Sequence, residues 1–318
     1  MNTKNYLSIY AKSFNWAGFF LPKKTYLKCS NLYDFCRTVD NITDQDSEIE
    51  IKKQKLKEFK SNFENKNFDN SIIKNMWELM DEFKISKRIV DDLFDGVESD
   101  LKAVRIKNCK ELIVYSYQVG GTVGLMMAKI FSVKKKFALK EAVELGTAMQ
   151  YTNIIRDIYE DAKSDRIYLP QDLLEEEGVN NLKPKDIINL DKEKLKKIHK
   201  VIYRLTVESN YMYNSVDGIR ELPFFSQFGI LLAARLYQRI GGKILRDIEK
   251  SKKHYPQKKI FLNKFEKILA TLHTFILWLL QDVVLQLIPI FDDCHYDRSS
   301  IGRIVNDPKW GLNLDEKI

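Results

Sequence analysis

An all-α fold follows from three features of this 318-residue chain. Apolar residues recur with helical period along most of its length, and no run alternates as a half-buried strand would. Helix breakers are sparse, with 13 Gly and 7 Pro, and none of them clusters into a linker. The composition, 44% hydrophobic and 30% charged, is that of a globular protein with a sizeable core. One domain is predicted over residues 1–290, followed by a C-terminal tail at 291–318.

The apolar period places helices at 3–14, 23–44, 49–64, 70–81, 86–104, 109–131, 137–163, 192–217, 223–249 and 259–289. Breaks are expected at Pro22, Asn65 to Asn70, Pro170, Gly178 to Pro184, Pro223 and Pro256. The helix at 109–131 carries Gly120, Gly121 and Gly124, which cost stability unless a kink or a close approach is wanted. Small residues followed by Leu125-Met126-Met127 would leave room for a long apolar ligand, and would equally suit close helix packing. Leu269 to Phe291 is the most apolar stretch and long enough to span a bilayer, but Gln281, Asp282 and Gln286 interrupt it. A core helix is therefore predicted there, with a membrane-contacting helix as the alternative.

The net charge is +8 and the pI near 9.0. A basic surface suits an anionic membrane face, a polyanionic substrate or nucleic acid, and equally no specific partner. Nucleic acid is the weakest of these, because neither zinc-finger spacing nor an aromatic RNA-binding signature occurs. Cys29, Cys36, Cys109 and Cys294 show no metal-ligand pattern and fit thiols in a reducing compartment. The N-terminus lacks an apolar signal-peptide core, so a cytoplasmic protein is expected.

Two aspartate pairs stand out. Asp40 and Asp44 lie on one predicted helix, Asp157 and Asp161 on another, each pair spaced i, i+4. Residues four apart are separated by about 40° around the axis, so each pair shares a face. The stripes extend to Tyr33 and Arg37 on the first helix, and to Gln150 and Asn153 on the second. Acidic pairs at this spacing are common on solvated faces, so spacing alone does not make a site. Two such stripes facing each other would nevertheless suit magnesium, which takes a few carboxylates, keeps waters and bridges to phosphates. Arg37, Arg156 and Arg166 could add positive charge beside a diphosphate, or serve as structural ion-pair partners.

Taken together, these segments resemble the squalene/phytoene synthase family. The resemblance runs from Ser13-Phe14 through the Leu236-Tyr237-Gln238-Arg239-Ile240-Gly241 segment. It includes Tyr33…Cys36-Arg37…Asp40…Asp44, Gly121-Thr122-Val123-Gly124-Leu125-Met126-Met127 and Asn153-Ile154-Ile155-Arg156-Asp157…Glu160-Asp161-Ala162, followed by Arg166-Ile167-Tyr168-Leu169-Pro170. Asn41 replaces a frequent third aspartate, and Ser116 and Gly120 replace the more usual Cys and Ala.

The resemblance implies an isoprenoid-synthase-type helical bundle around a central cavity, and head-to-head condensation of two prenyl diphosphates through a cyclopropyl diphosphate. It implies metal-binding roles for Asp40, Asp44, Asp157 and Asp161, with Mg2+ as cofactor and Mn2+ as its substitute. Tyr115, Asp100 and Arg37 are implied as catalytic. Ser13, Phe14, Tyr33, Gln150, Asn153, Arg156 and Tyr237 are implied as substrate-binding. The Gly218 to Pro223 turn and the Tyr237 to Lys243 run look most like bacterial phytoene synthases. Geranylgeranyl diphosphate would then be the substrate and phytoene the product, with no nicotinamide. Squalene, dehydrosqualene or presqualene diphosphate synthases acting on farnesyl diphosphate are the alternatives, as is a non-catalytic membrane-associated assembly factor. Expected partners are the prenyl diphosphate, downstream carotenoid enzymes and the inner face of the membrane by peripheral contact.

Overall fold

A computed structural model describes residues 12–45, 47–214, 217–251 and 258–280. The helices begin with α1 (Lys12–Gly18), α2 (Lys23–Asp44), α3 (Ile49–Glu64), α4 (Ser71–Phe83) and α5 (Lys87–Ser99). A two-residue strand β1 (Val104–Arg105) precedes α6 (Cys109–Ser116), a π-turn (Tyr117–Gly121) and α7 (Thr122–Ile130). The long helix α8 (Lys136–Lys163) leads into β2 (Arg166–Ile167). Then come α9 (Gln171–Glu176), α10 (Pro184–Ile188), α11 (Lys192–Asn214), a 3₁₀ turn (Asp217–Glu221), α12 (Phe224–Ser251) and α13 (Lys264–Leu279).

Local chemistry sets many of these ends. Asn70 accepts from the backbone N–H groups of Ile72 and Ile73 at the start of α4, and Asn108 accepts from that of Glu111 at the start of α6. Asn263 and Glu266 form a reciprocal capping box on α13. The helix predicted over 86–104 instead stops at Ser99. Asp100 is taken up by side-chain hydrogen bonds, and Val104 and Arg105 pair in parallel with Arg166 and Ile167. This pairing and the short helices α9 and α10 carry too few residues to show a period, and pattern reading passed over them.

Two apolar cores result. One joins α2 to α5 with α7, around the mutually packed rings of Phe35, Phe59, Phe63 and Phe94. The other gathers α8 through α12. Helix α8 packs against α7, the π-turn, α11 and α12, which makes it the spine between the cores.

The glycines of the central helix serve close approach. A Cβ on Gly124 would stand 2.0 Å from the carbonyl oxygen of Ala142, and one on Gly146 2.2 Å from that of Gly120. Both approaches are far inside van der Waals contact, so α7 and α8 meet only because these side chains are absent.

Three expectations change. Helix 192–217 ends at Asn214, and Asp217 begins a separate 3₁₀ turn. The helix expected from 259 starts at Lys264. The core placement of Leu269 onward does not hold over its described part. Only Ala270 and Thr274 of α13 are buried, whereas Leu269, Leu272, Phe275, Ile276 and Leu279 are exposed. One face of the helix suffices to pack on α12, which leaves the remaining apolar side chains without cover. Among the described residues no helix is long and apolar enough to cross a membrane. The Pro256 break, Cys294, residues 3–11 of the first predicted helix and the 290/291 boundary lie outside the described residues.

Candidate active site

A cavity of about 630 Å³ opens between the two cores, and every site residue named from sequence lines it. Its wall follows α8 from Asp161 and Asp157, through Asn153, Gln150, Gly146 and Ala142, to Ala138. At 1.5 Å per residue this covers roughly 30 Å of helix. The aspartates, Arg37, Arg156 and Arg166 gather at one end. Val123, Met127, Phe131, Val133, Ile219, Leu222 and Ile230 line the rest. The vessel has an ionic head and an apolar body.

Charges at the head are paired across elements. Arg166, just after α8, donates to Asp44 Oδ1 at 3.1 Å and to the Thr43 carbonyl at 3.3 Å, at the end of α2. Arg37 Nη1 stands 4.0 Å from Asp44 Oδ2. On α8, Arg156 grips Asp157 bidentately, Nε to Oδ1 and Nη2 to Oδ2 both at 2.7 Å. Neighbouring helical residues do not ordinarily face each other, so the arginine has to fold back along the axis to reach. Lys259, from the segment before α13, lies 3.5 Å from Asp157 Oδ2 and 2.7 Å from Glu160 Oε2. Two residues on, the Phe261 ring covers the Arg156 guanidinium, with Cζ 5.5 Å from the ring centre.

Burial pushes Asp40 up to about 7, Arg37 opposing and the charges of Asp44 and Asp100 adding to the rise. Asp161 is raised by burial and by Asp157. Carboxylates crowded this way call for cations. Among the described residues, no three acidic, histidine or cysteine side chains converge tightly enough to hold a metal ion by themselves. The donor chemistry nevertheless fits magnesium, which binds through one or two carboxylates, waters and substrate phosphates rather than in an all-protein cage.

Asp100 receives two hydroxyls, from Tyr115 at 3.0 Å and from Tyr168 at 2.7 Å, whose rings stack with centres 4.8 Å apart. Burial raises Asp100 to about 6, while Arg166 and the two hydroxyls hold it down. The β1–β2 pairing delivers Tyr168 and Arg166 to this point, one residue beyond and one residue within the strand. Elsewhere on the wall Phe14 packs on Tyr237 with ring centres 5.0 Å apart, Ser13 is buried, and Asn153 Nδ2 donates to Gln150 Oε1 at 3.1 Å. The Asn153 Oδ1 atom is buried without a hydrogen-bond partner and lies in the cavity wall.

Sequence reasoning assigned no role to Tyr168, Lys259 or Phe261. Tyr168 follows a motif already singled out, so its neighbourhood was visible. Lys259 lies in a lysine-rich stretch where nothing marks one lysine from the next.

These features, an all-α vessel with two acidic pairs at its head and a long apolar body, define a class of prenyl diphosphate enzymes. Residues 8–266 match the model of the squalene/phytoene synthase family, and the chain belongs to that family. It is 29% identical over 243 residues to a phytoene synthase of Rhodobacter capsulatus, covering 74% of this chain and 69% of the relative. It is 28% identical over 251 residues to a 15-cis-phytoene synthase of Pantoea ananas, covering 75% and 80%. A dehydrosqualene synthase crystallised with a ligand superposes with a TM-score of 0.72 at 21% identity, over 85% of this chain and 93% of that one. A squalene synthase, HpnC from Alicyclobacillus acidocaldarius, gives 0.65 at 18% identity, over 76% and 91%. At such identities the superpositions establish the isoprenoid-synthase fold.

Proposed function

We propose that the protein is a prenyltransferase that joins two geranylgeranyl diphosphates head to head, through a cyclopropyl diphosphate, to phytoene. The observation that carries this reading is one cavity with carboxylates and guanidinium groups at its head and roughly 30 Å of helix-lined wall behind them. Curated relatives named phytoene synthase support the choice of substrate.

Asp40, Asp44, Asp157 and Asp161 would hold Mg2+, with Mn2+ as its substitute. The ion would supply a positive charge that neutralises a departing diphosphate. Arg37, Arg156, Arg166 and Lys259 reach the same head and would bind and orient the diphosphate oxygens, with Tyr33, Gln150, Asn153 and Tyr237 completing the polar wall. Ser13 and Phe14 close the wall from α1. The first allylic cation is attacked by the double bond of the second substrate, and a proton is lost as the cyclopropane closes. The second diphosphate then leaves, the carbon skeleton rearranges, and loss of another proton forms the central double bond. Tyr115 presents a ring to passing positive charge, and its hydroxyl is held by Asp100. The apolar body keeps water from quenching the cations.

Magnesium dependence, phytoene as sole product, contact with downstream carotenoid enzymes and peripheral attachment to the inner membrane face belong to the same proposal. The test is incubation of purified protein with magnesium, without nicotinamide, with geranylgeranyl or farnesyl diphosphate separately. Phytoene from the longer substrate is expected. A hydrocarbon from farnesyl diphosphate alone would move the enzyme to the squalene branch, and none from either would favour a non-catalytic assembly factor.

A further inference from the structure

Helix α13 leaves an apolar stripe in the open. Phe265, Leu269, Leu272, Ile276 and Leu279 are all exposed and lie within about 120° of one another around the axis. The stripe does not end with the helix. Trp278 contacts Phe224 and Phe228 on α12, with ring centres 4.8 and 5.7 Å away, and Phe20 lies edge-on to Phe228 at 4.9 Å. Beyond these contacts Phe19 and Phe225 are 75% and 70% exposed. Three separate stretches of chain thus contribute to one apolar surface, larger than the scattered apolar side chains usual on a monomer.

Cations rim this surface. Lys23 and Lys24 follow Phe19 and Phe20 and are exposed, and Lys264 starts α13. On the other flank Arg235, Arg239 and His273 gather at the α12–α13 seam. Arg235 donates to the neutral oxygens of Asn214 at 3.2 Å and Gln238 at 2.6 Å. His273 is close enough to both guanidinium groups for their charges, after burial, to disfavour its protonated form. The one acid of α13, Glu266, is engaged by Lys243 and by its own helix cap.

We propose that this face docks the protein on a bilayer containing anionic phospholipid, the apolar stripe entering the acyl boundary and the cationic rim meeting phosphate headgroups. An apolar face rimmed by basic residues is the pattern that binds such interfaces. A second copy fits less well, because a two-fold contact would bring the same cationic rim of a +8 chain against itself. The sequence after Leu280 continues apolar through Val283-Val284-Leu285 to Phe291, adding apolar chain at the same edge. The benefit of docking rests on the prenyl synthase reading. Ile230 and Ala233 line the cavity from the helix that also carries Phe224 and Phe225, so an insoluble hydrocarbon would form one helix away from lipid.

The test is flotation of the full-length protein, without substrate, with vesicles of phosphatidylcholine alone or mixed with phosphatidylglycerol. The protein should float with the mixed vesicles and far less with the neutral ones. Leu272→Ser/Ile276→Ser should weaken partition at least about tenfold without lowering the melting temperature. Lys264→Gln/Arg239→Gln should weaken it several-fold, only on the anionic vesicles. Absence of flotation together with a lower melting temperature in the serine variant would mean that residues 281–318 cover the stripe, which overturns the proposal. Absence of flotation with a dimer that the serine variant dissociates would assign the face to a second copy and also overturn it. Hydrocarbon formation, assayed separately without vesicles, reports on the prenyl synthase reading independently of either result.

Discussion

Asp157 is held by two side chains that a metal ion and a diphosphate would both disturb: Arg156 on its own helix and Lys259 from a distant segment. Its neutralisation without metal explains how an acidic head can persist before substrate arrives. Asp157→Asn is expected to lower kcat at least about a hundredfold while leaving the melting temperature within a few degrees, because it removes a ligand and no core contact. Hydrocarbon yield beside a thermal melt checks both parts. Tyr168 offers a finer test. Its hydroxyl is one of two holding Asp100, and hydrogen bonds to a charged group contribute about 1.5–3 kcal/mol. Tyr168→Phe should therefore cost about tenfold or more in kcat/KM and move the acidic limb of its pH profile upward, since a hydroxyl that favoured the carboxylate is gone. An unchanged limb would separate Tyr168 from Asp100. The same head predicts a pH dependence of stability. The carboxyls of Asp40 at about 7 and Asp100 at about 6 lie above their ordinary range. Between that range and these values the native state holds more protons than the unfolded chain, so metal-free stability should fall as pH rises from 4 to 8. Melting curves across that interval should flatten when millimolar magnesium is added, because a bound cation favours the ionised carboxylates.

At the scale of elements, the crossing of α7 on α8 is set by absent side chains. Gly146→Ala would place a methyl group 2.2 Å from the Gly120 carbonyl oxygen, and backbone must move to admit it. Overpacking of this kind costs about 1–3 kcal/mol, and here the displaced residues line the cavity. Chemical denaturation should show the loss, with a parallel fall in turnover of the longer substrate. Helix periodicity revealed most elements to within a few residues, since long amphipathic stretches such as Lys23–Asp44 and Ile49–Glu64 carry their own signal. It passed over the two-residue pairing of Val104-Arg105 with Arg166-Ile167, whose existence depends on residues sixty positions apart. The apolar character of α13 was legible, but its exposure was not, because period reports which residues share a face and not whether another element covers it.

For the whole molecule, the two aspartate stripes predicted a shared face on each helix, and the fold brings both faces to one cavity. What sequence could not supply was the third party: Lys259 and Phe261 reach the head from beyond α12, and no local pattern announces a residue recruited from so far along the chain. The apolar length of the vessel likewise emerges only when α8, the 3₁₀ turn at Asp217–Glu221 and α12 are assembled.

The π-turn at Tyr117–Gly121 has a bearing on how such a vessel could change shape over generations. A π-turn amounts to one residue inserted into an otherwise regular helix. Upstream of it stands Tyr115, held to Asp100; downstream stand Val123 and Met127, which line the apolar wall. Deleting a single codon here would restore an ordinary helix and swing everything after it by about 100°. Val123 and Met127 would then leave the wall for other neighbours, while the ionic head upstream kept its register. The insertion thus acts as a frame marker, uncoupling the ancestry of the reacting end from that of the hydrocarbon end.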